Sequence, residues 1–338
     1  MFVISNVYAA PHGDALYATH CSSCHGADGK GGVGIPIALP SFLDSVSNEY
    51  LVTTIRLGRP GRIMPAFDVL SDAQVTAIVR YVRSWSDKPA PAESRIIIKG
   101  NPEHGRNLYA RHCSHCHGEE GSGGKGTGVT FSRKRDLPII APALKNTGFL
   151  KAASDEMIRD TITFGREGTP MTSMLVSGLS AEDIDDVVSY IRSLEVPAAE
   201  LQQSLKEKKE EPFSLIVDSP YDLEETLENL KQAITDQNFT LIRTDYIEHG
   251  LIAKGKENKK QVVLHFCNFD FLFKALAIDP RIGMFLPCRV TVIERDGKVQ
   301  LSTINPKRLS QLFNNHELDA SCSEMYEIYN ALLEDSTL

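Results

Sequence analysis

The chain has 338 residues, 42% hydrophobic and 24% charged, with a formal net charge of -8. This length exceeds one ordinary domain and suits two or three, with apolar material for several cores. The acidic balance argues against nucleic acid as a partner, since phosphate binding needs a basic surface. No stretch approaches the ~20 apolar residues of a membrane span.

Residues 1–10, MFVISNVYAA, end like a signal-peptidase site but lack a basic start and a long apolar stretch. They read as the remnant of a signal peptide, the alternative being a frayed N-terminal segment. Residues 11–195 then hold one unit twice. GDALYATHCSSCHG at 13–26 returns as GRNLYARHCSHCHG at 105–118, Gly29 and Gly32 return as Gly121 and Gly124, and LGRPG at 57–61 returns as FGREG at 164–168. Each copy continues with a methionine, a Leu-Ser pair (Leu70-Ser71, Leu179-Ser180) and a Tyr-x-Arg-Ser ending at 81–84 or 190–193. Two copies are too few for a solenoid, so they read as two complete small domains, 11–87 and 101–195. The linker 88–100 follows the proline-rich start DKPAPA at 87–92 and is extended.

The second copy carries an insertion at about 128–141 that includes SRKRD at 132–136. It reads as a charged surface loop, with a docking patch for an acidic partner as the sharper alternative. A second linker, 196–211, has a Lys/Glu/Gln-rich core that suits a helical or solvated connector.

The pattern changes in the third region, 212–335. Strands are expected at 213–217, 240–247, 261–266, 286–294 and 299–304, the last two joined by the hairpin signal RDGK at 295–298. Leu223, Leu227, Leu230 and Ile234 set a helical period over 222–237, and shorter helices are expected at 269–278, 306–313 and 319–333. Strands mixed with helices on one small sheet indicate α+β.

The chemistry lies in the repeats. Cys21-Ser22-Ser23-Cys24-His25 and Cys113-Ser114-His115-Cys116-His117 are both CxxCH. Two thiols about one helical turn apart can each form a thioether to a haem vinyl group, and the adjacent histidine then offers its imidazole to the iron. Zinc would want four ligands where each unit supplies three close ones, and a redox dithiol would need a βαβ context. The opposite iron ligand is expected downstream: Met64 in the first unit, and Met171 in the second, with Met174 as its competitor. Met171 keeps the three-residue distance from Gly168 that Met64 keeps from Gly61. The bland reading of each methionine is a core residue. His20 and His112 precede the attachment cysteines on the same helix and reach the far haem face poorly. His12 and His104 are upstream surface rivals, and His115 faces solvent.

These residues resemble class I c-type cytochromes over about 13–194: the two attachment segments, the ligand segments LGRPGRIMPAF and FGREGTPM, and the closing YVRSW and YIRSL. The resemblance implies an N-terminal helix crossing a C-terminal one, with the haem wedged between helices and one edge exposed. Gly13 and Tyr17 would then pack against the helix holding Tyr81, and Gly105 and Tyr109 near Tyr190. The third region resembles the domain-of-unknown-function 302 family over about 212–333, through Phe266-Cys267-Asn268, Leu286-Pro287-Cys288 and Asn305-Pro306. That family is a small α+β domain, often dimeric, with no assigned activity.

Seven cysteines are present, and Cys267, Cys288 and Cys322 lie outside the CxxC pairs, an odd remainder unlike a disulfide framework. Cys288 suggests a sulfur-species contact, and His265 with Cys267 a metal or further haem, against the plainer reading of buried small hydrophobes. The expected architecture is two all-α cytochrome c domains followed by one α+β domain. The expected protein is a periplasmic carrier with two haem c groups and redox proteins as partners, and a homodimer contact through the third domain. The competing expectations are an oxidoreductase acting on a small sulfur or nitrogen compound, and a sensor or scaffold.

Overall fold

The computed structural model describes residues 11–124, 141–196 and 211–338; the N-terminal decapeptide, the SRKRD insertion and the core of the second linker lie outside the described residues. The chain divides into two compact units, Met1–Gln203 and Ser204–Leu338.

In the first unit each repeat builds the same helices. The first has α1 (Gly13–His20), α2 (Ser22–His25), α3 (Pro40–Leu43), α4 (Asn48–Leu57) and α5 (Asp72–Arg83). The second has α6 (Pro102–His112), α7 (Ser114–His117), α8 (Thr147–Ala152), α9 (Asp155–Phe164) and α10 (Ala181–Ser193). The Leu-Ser pairs are the starts of α5 and α10. Ser71 and Ser180 close capping boxes with Gln74 and Asp183, while Leu70 and Leu179 enter the core. Ser47 and Ser154 cap α4 and α9 by accepting from the Tyr50 and Met157 amides, without the reciprocal bond.

α1 crosses α5, and α6 crosses α10. The crossings need glycine: a Cβ on Gly13 would sit 2.1 Å from the Ala77 carbonyl oxygen, and one on Gly105 2.0 Å from that of Asp186. The expected aromatic contacts are present, with Tyr17–Tyr81 ring centroids 5.5 Å apart and Tyr109–Tyr190 centroids 5.2 Å apart.

The arginine of each Tyr-x-Arg-Ser ending ties the last helix to α3 or α8 and to the loop after it. Arg83 donates to the carbonyls of Leu43 and Val46 and to Asn48. Arg192 donates to the carbonyls of Leu150 and Ala153 and pairs with the buried Asp155, whose other oxygen accepts from the Ile98 amide at 2.8 Å. Removing one partner of such a pair leaves the rest buried and unmatched. Arg192→Met is therefore expected to cost about 3 kcal/mol in chemical denaturation, whereas Arg111→Met, on the exposed face of α6, stays within ~0.5 kcal/mol.

The two repeats share one continuous core and meet through a reciprocal contact. The Arg59 guanidinium lies 5.8 Å from the Phe149 ring centroid, and its repeat counterpart Arg166 lies 5.1 Å from Phe42. Asn146 donates to the Pro60 carbonyl at 2.9 Å, and Ser41 donates to that of Glu167 at 2.6 Å. Arg62 adds a bond to the Gly124 carbonyl at 2.6 Å. The two arginine–phenylalanine pairs exchange equivalent partners, as across a twofold axis.

The second unit comprises β1 (Ser214–Ser219), α11 (Leu223–Asp236), β2 (Thr240–Tyr246), β3 (Gln261–Cys267), α12 (Phe269–Ile278), β4 (Cys288–Arg295), β5 (Lys298–Ile304), α13 (Pro306–Leu312) and α14 (Asp319–Asp335). The sheet is antiparallel throughout, in the order β1-β5-β4-β3-β2. Leu264, Phe266, Val290, Val292 and Leu301 pack against Leu230 and Ile234 of α11 and Leu332 of α14. The hairpin turn sits where expected: Arg295 pairs with Lys298, and Asp296 and Gly297 both take positive φ, as a two-residue primed turn requires. β4 begins at Cys288, two residues later than expected, because Pro287 has no amide to contribute to the ladder. A smaller core gathers Ala275, Leu276, Ile282, Leu309, Phe313 and Leu318.

Candidate haem-binding sites

Each CxxCH segment forms one short helical turn directly after the first helix of its repeat. The His25 amide donates to the Cys21 carbonyl and the His117 amide to that of Cys113, both at 2.9 Å, which puts the two cysteines and the histidine on one turn. Tyr17 and Tyr109 anchor that turn from below, their hydroxyls donating to the carbonyls of Gly26 and Gly118 at 2.8 and 2.9 Å. Gly26 and Gly118 end the turn at φ of 81° and 76°, a region open mainly to glycine.

The histidines are oriented the same way in both units. His25 Nδ1 lies 2.8 Å from the Ile35 carbonyl, and His117 Nδ1 lies 3.0 Å from the Pro142 carbonyl. A carbonyl oxygen only accepts, so each Nδ1 carries the proton and each Nε2 keeps its lone pair. A backbone carbonyl on the second nitrogen is how metal-ligating histidines are held. Burial pushes the pKa of both rings below the ordinary value, which favours the neutral, ligating form. Gly34 packs against the His25 ring: a Cβ there would lie 2.8 Å from Cε1 and Nδ1. Burial raises the Cys21 and Cys113 thiols to about 11, and none of the four motif cysteines is in a disulfide. Protonated thiols on one turn suit thioether formation better than zinc thiolate binding. The donor set therefore fits a covalently held haem.

The methionine loops are superimposable in their bonding. The Arg59 amide donates to the Met64 carbonyl at 2.8 Å, and the Arg166 amide to that of Met171 at 2.7 Å. The Phe67 amide reaches the Ile55 carbonyl at 3.0 Å, and the Met174 amide reaches that of Ile162 at 2.9 Å. Met171 thus holds the place of Met64, and Met174 the place of Phe67. The approach to the methionine differs: Ile63 stands at φ 72° where the second unit has Pro170.

The rival histidines have other surroundings. His20 stacks edge-on to Phe67 with centroids 6.0 Å apart, and His104 Nδ1 lies 2.8 Å from Asp186 Oδ2. His265 lies 3.8 Å from Asp245 on the neighbouring strand, between Arg243 and Arg289 in register. Among the described residues no group of three or more His, Cys, Asp or Glu could hold a metal ion. The Ile35 and Pro142 carbonyls went unnoticed in the sequence, because a backbone acceptor carries no residue signature.

Fold and site together define a c-type cytochrome with two units. The profile described as cytochrome c oxidase, cbb3-type, subunit III matches residues 9–82, that of cytochrome c matches 102–195, and that of domain of unknown function DUF302 matches 215–336. The chain is a tandem of two cytochrome c domains fused to a C-terminal DUF302 domain, and it carries two haem c groups. It is 31% identical over 205 residues to the cbb3-type cytochrome c oxidase subunit CcoP of Rhodobacter capsulatus, covering 55% of this chain and 63% of that protein. It is 28% identical over 175 residues to the CcoP subunit of an Azospirillum species, covering 48% of this chain and 54% of that one. The chain thus spans less than two thirds of the length of these relatives. A DUF302 protein from Bacillus stearothermophilus shares 23% identity with a TM-score of 0.35, over 37% of this chain and 99% of its own. Among the described residues no helix is long and apolar enough to cross a membrane.

Proposed function

We propose that Cys21 and Cys24, and Cys113 and Cys116, hold the two haem groups as thioethers, with His25 and Met64 on one iron and His117 and Met171 on the other. The observation that carries this reading is the twice-repeated imidazole held through Nδ1 by a backbone carbonyl beside a cysteine turn. A thioether opposite histidine raises the reduction potential and fills the sixth position, which suits an electron carrier rather than a catalyst.

The reciprocal contact between the repeats supports a relay from one haem to the other, since it engages the segments that carry Met64 and Met171. The donor and acceptor are periplasmic redox proteins; export follows from the covalent haem chemistry. The likeness to CcoP supports a respiratory oxidase complex as one side of that exchange.

The test is ligand access. The reduced, fully haem-loaded chain mixed with carbon monoxide is expected to show no spectral change on the second timescale at either haem, while both oxidise on that timescale with a small-molecule acceptor. Rapid carbon monoxide binding to one haem would replace the carrier reading with catalysis or sensing.

A further inference from the structure

The three cysteines that the haem motifs leave over come from three different elements, β3, β4 and α14. They nevertheless meet at one place: Cys267, Cys288 and Cys322 all line a single cavity of about 60 Å³ in the DUF302 domain. At ~10–15 Å³ for each water-sized group, the space holds roughly four to six such groups. Phe271 and Phe285 form part of its wall, and Tyr329 lies at its floor.

The lining has a definite chemistry. No charged side chain borders the cavity. A charged ligand entering it would lose its hydration with no counter-charge in return. Tyr329 lines the cavity beside Cys288, and Thr303 donates to the Arg289 carbonyl at 2.7 Å. Asn268 and Ser321 add polar groups to a lining that is otherwise mostly carbon and sulfur. Burial raises all three thiols above the ordinary value, which disfavours thiolate–metal binding at neutral pH and leaves a small thiolate fraction for slow alkylation. The cavity is partly open, and α12 and the turn after it, which supply much of its wall, also carry Phe269, Phe273 and Met284 exposed to solvent. An apolar molecule would therefore meet an apolar approach.

We propose that this cavity is a binding site for a small uncharged apolar molecule, held by the aromatic wall and by soft contacts to the thiols. The site is independent of the electron-transfer reading, because no haem-unit residue takes part in it.

In the haem-loaded chain the four motif cysteines are blocked as thioethers, so N-ethylmaleimide can label only Cys267, Cys288 and Cys322. Labelling is read residue by residue by peptide mass spectrometry, with dimethyl sulfide as the probe, small enough for the space. Present at about ten times its Kd, it is expected to slow labelling of Cys267 and Cys288 roughly tenfold. Acetate, of similar size but charged, is expected to leave the rates unchanged. Ala275 lines the same cavity, so Ala275→Phe fills it and is expected to abolish the dimethyl sulfide effect; Ala275→Met does the same job with less strain. Unchanged labelling with dimethyl sulfide, or equal protection by acetate, overturns the proposal. Dimethyl sulfide protection that persists in whichever Ala275 variant folds also overturns it, since the probe then binds elsewhere. A haem count below two in the same preparation would instead count against the attachment reading and leave this result readable.

Discussion

Met171→Leu is expected to remove about half of the iron–sulfur absorption at the red edge of the oxidised spectrum, and Met174→Leu none of it. The two residues stand three apart in the chain, and both pack on the core of the haem units. Backbone bonding separates them. The Met171 carbonyl accepts from the Arg166 amide as the Met64 carbonyl accepts from Arg59, whereas Met174 repeats the bond made by Phe67. A residue in the position of Phe67 belongs to the packing, and Phe67 itself has no sulfur to offer. Met64→Leu is expected to remove the other half of the band. In each ligand variant the affected haem loses potential on the order of 100 mV, a fraction of the ~0.8 V that axial ligands span. The affected haem also gains carbon monoxide binding, because leucine leaves the sixth position open. If Met174→Leu, rather than Met171→Leu, halves the band, the ligand assignment in the second unit is wrong.

The second large effect concerns the helix crossings. Gly105→Leu is expected to destabilise the haem-bearing unit by about 3 kcal/mol, or more if the helices cannot separate. For a unit of this size that corresponds to a fall of roughly 6–12 °C in the thermal midpoint. The cause is contact with backbone rather than with a side chain that could swing away. A Cβ at Gly105 would lie 2.0 Å from the Asp186 carbonyl oxygen and 3.0 Å from the Tyr190 Cβ. Gly13→Leu should behave alike, since its Cβ would lie 2.1 Å from the Ala77 carbonyl oxygen. Ala110→Ser, on the exposed side of the same helix as Gly105, is the control and should stay within ~0.5 kcal/mol. Thermal unfolding followed by circular dichroism decides it: a Gly105→Leu midpoint equal to that of the control would mean that the crossing is looser than the packing implies.

The Leu-Ser pairs and the Tyr-x-Arg-Ser endings were visible in the chain as recurring letters without an assigned cause. The structure supplies it. The serines are helix caps, the leucines are core, and the arginines clamp carbonyls of α3 and α8 and of the loops after them. Helix capping and periodic burial are local effects that act through near neighbours, which is why repeated letters track repeated geometry so closely. The same holds for the hairpin at Asp296 and Gly297, whose positive φ angles are a property of two adjacent residues.

By itself the amino-acid sequence determined the class of cofactor, the attachment turn, the division into repeats and a distinct α+β domain, because each depends on residues close together in the chain. Tertiary structure alone decided which carbonyl holds each histidine, how Arg59 and Arg166 exchange aromatic partners, and that three scattered cysteines share one cavity. Those features join groups from ten to more than a hundred residues apart, often through backbone atoms that every residue type possesses. Their partners are fixed by packing in three dimensions, where spacing along the chain no longer measures distance.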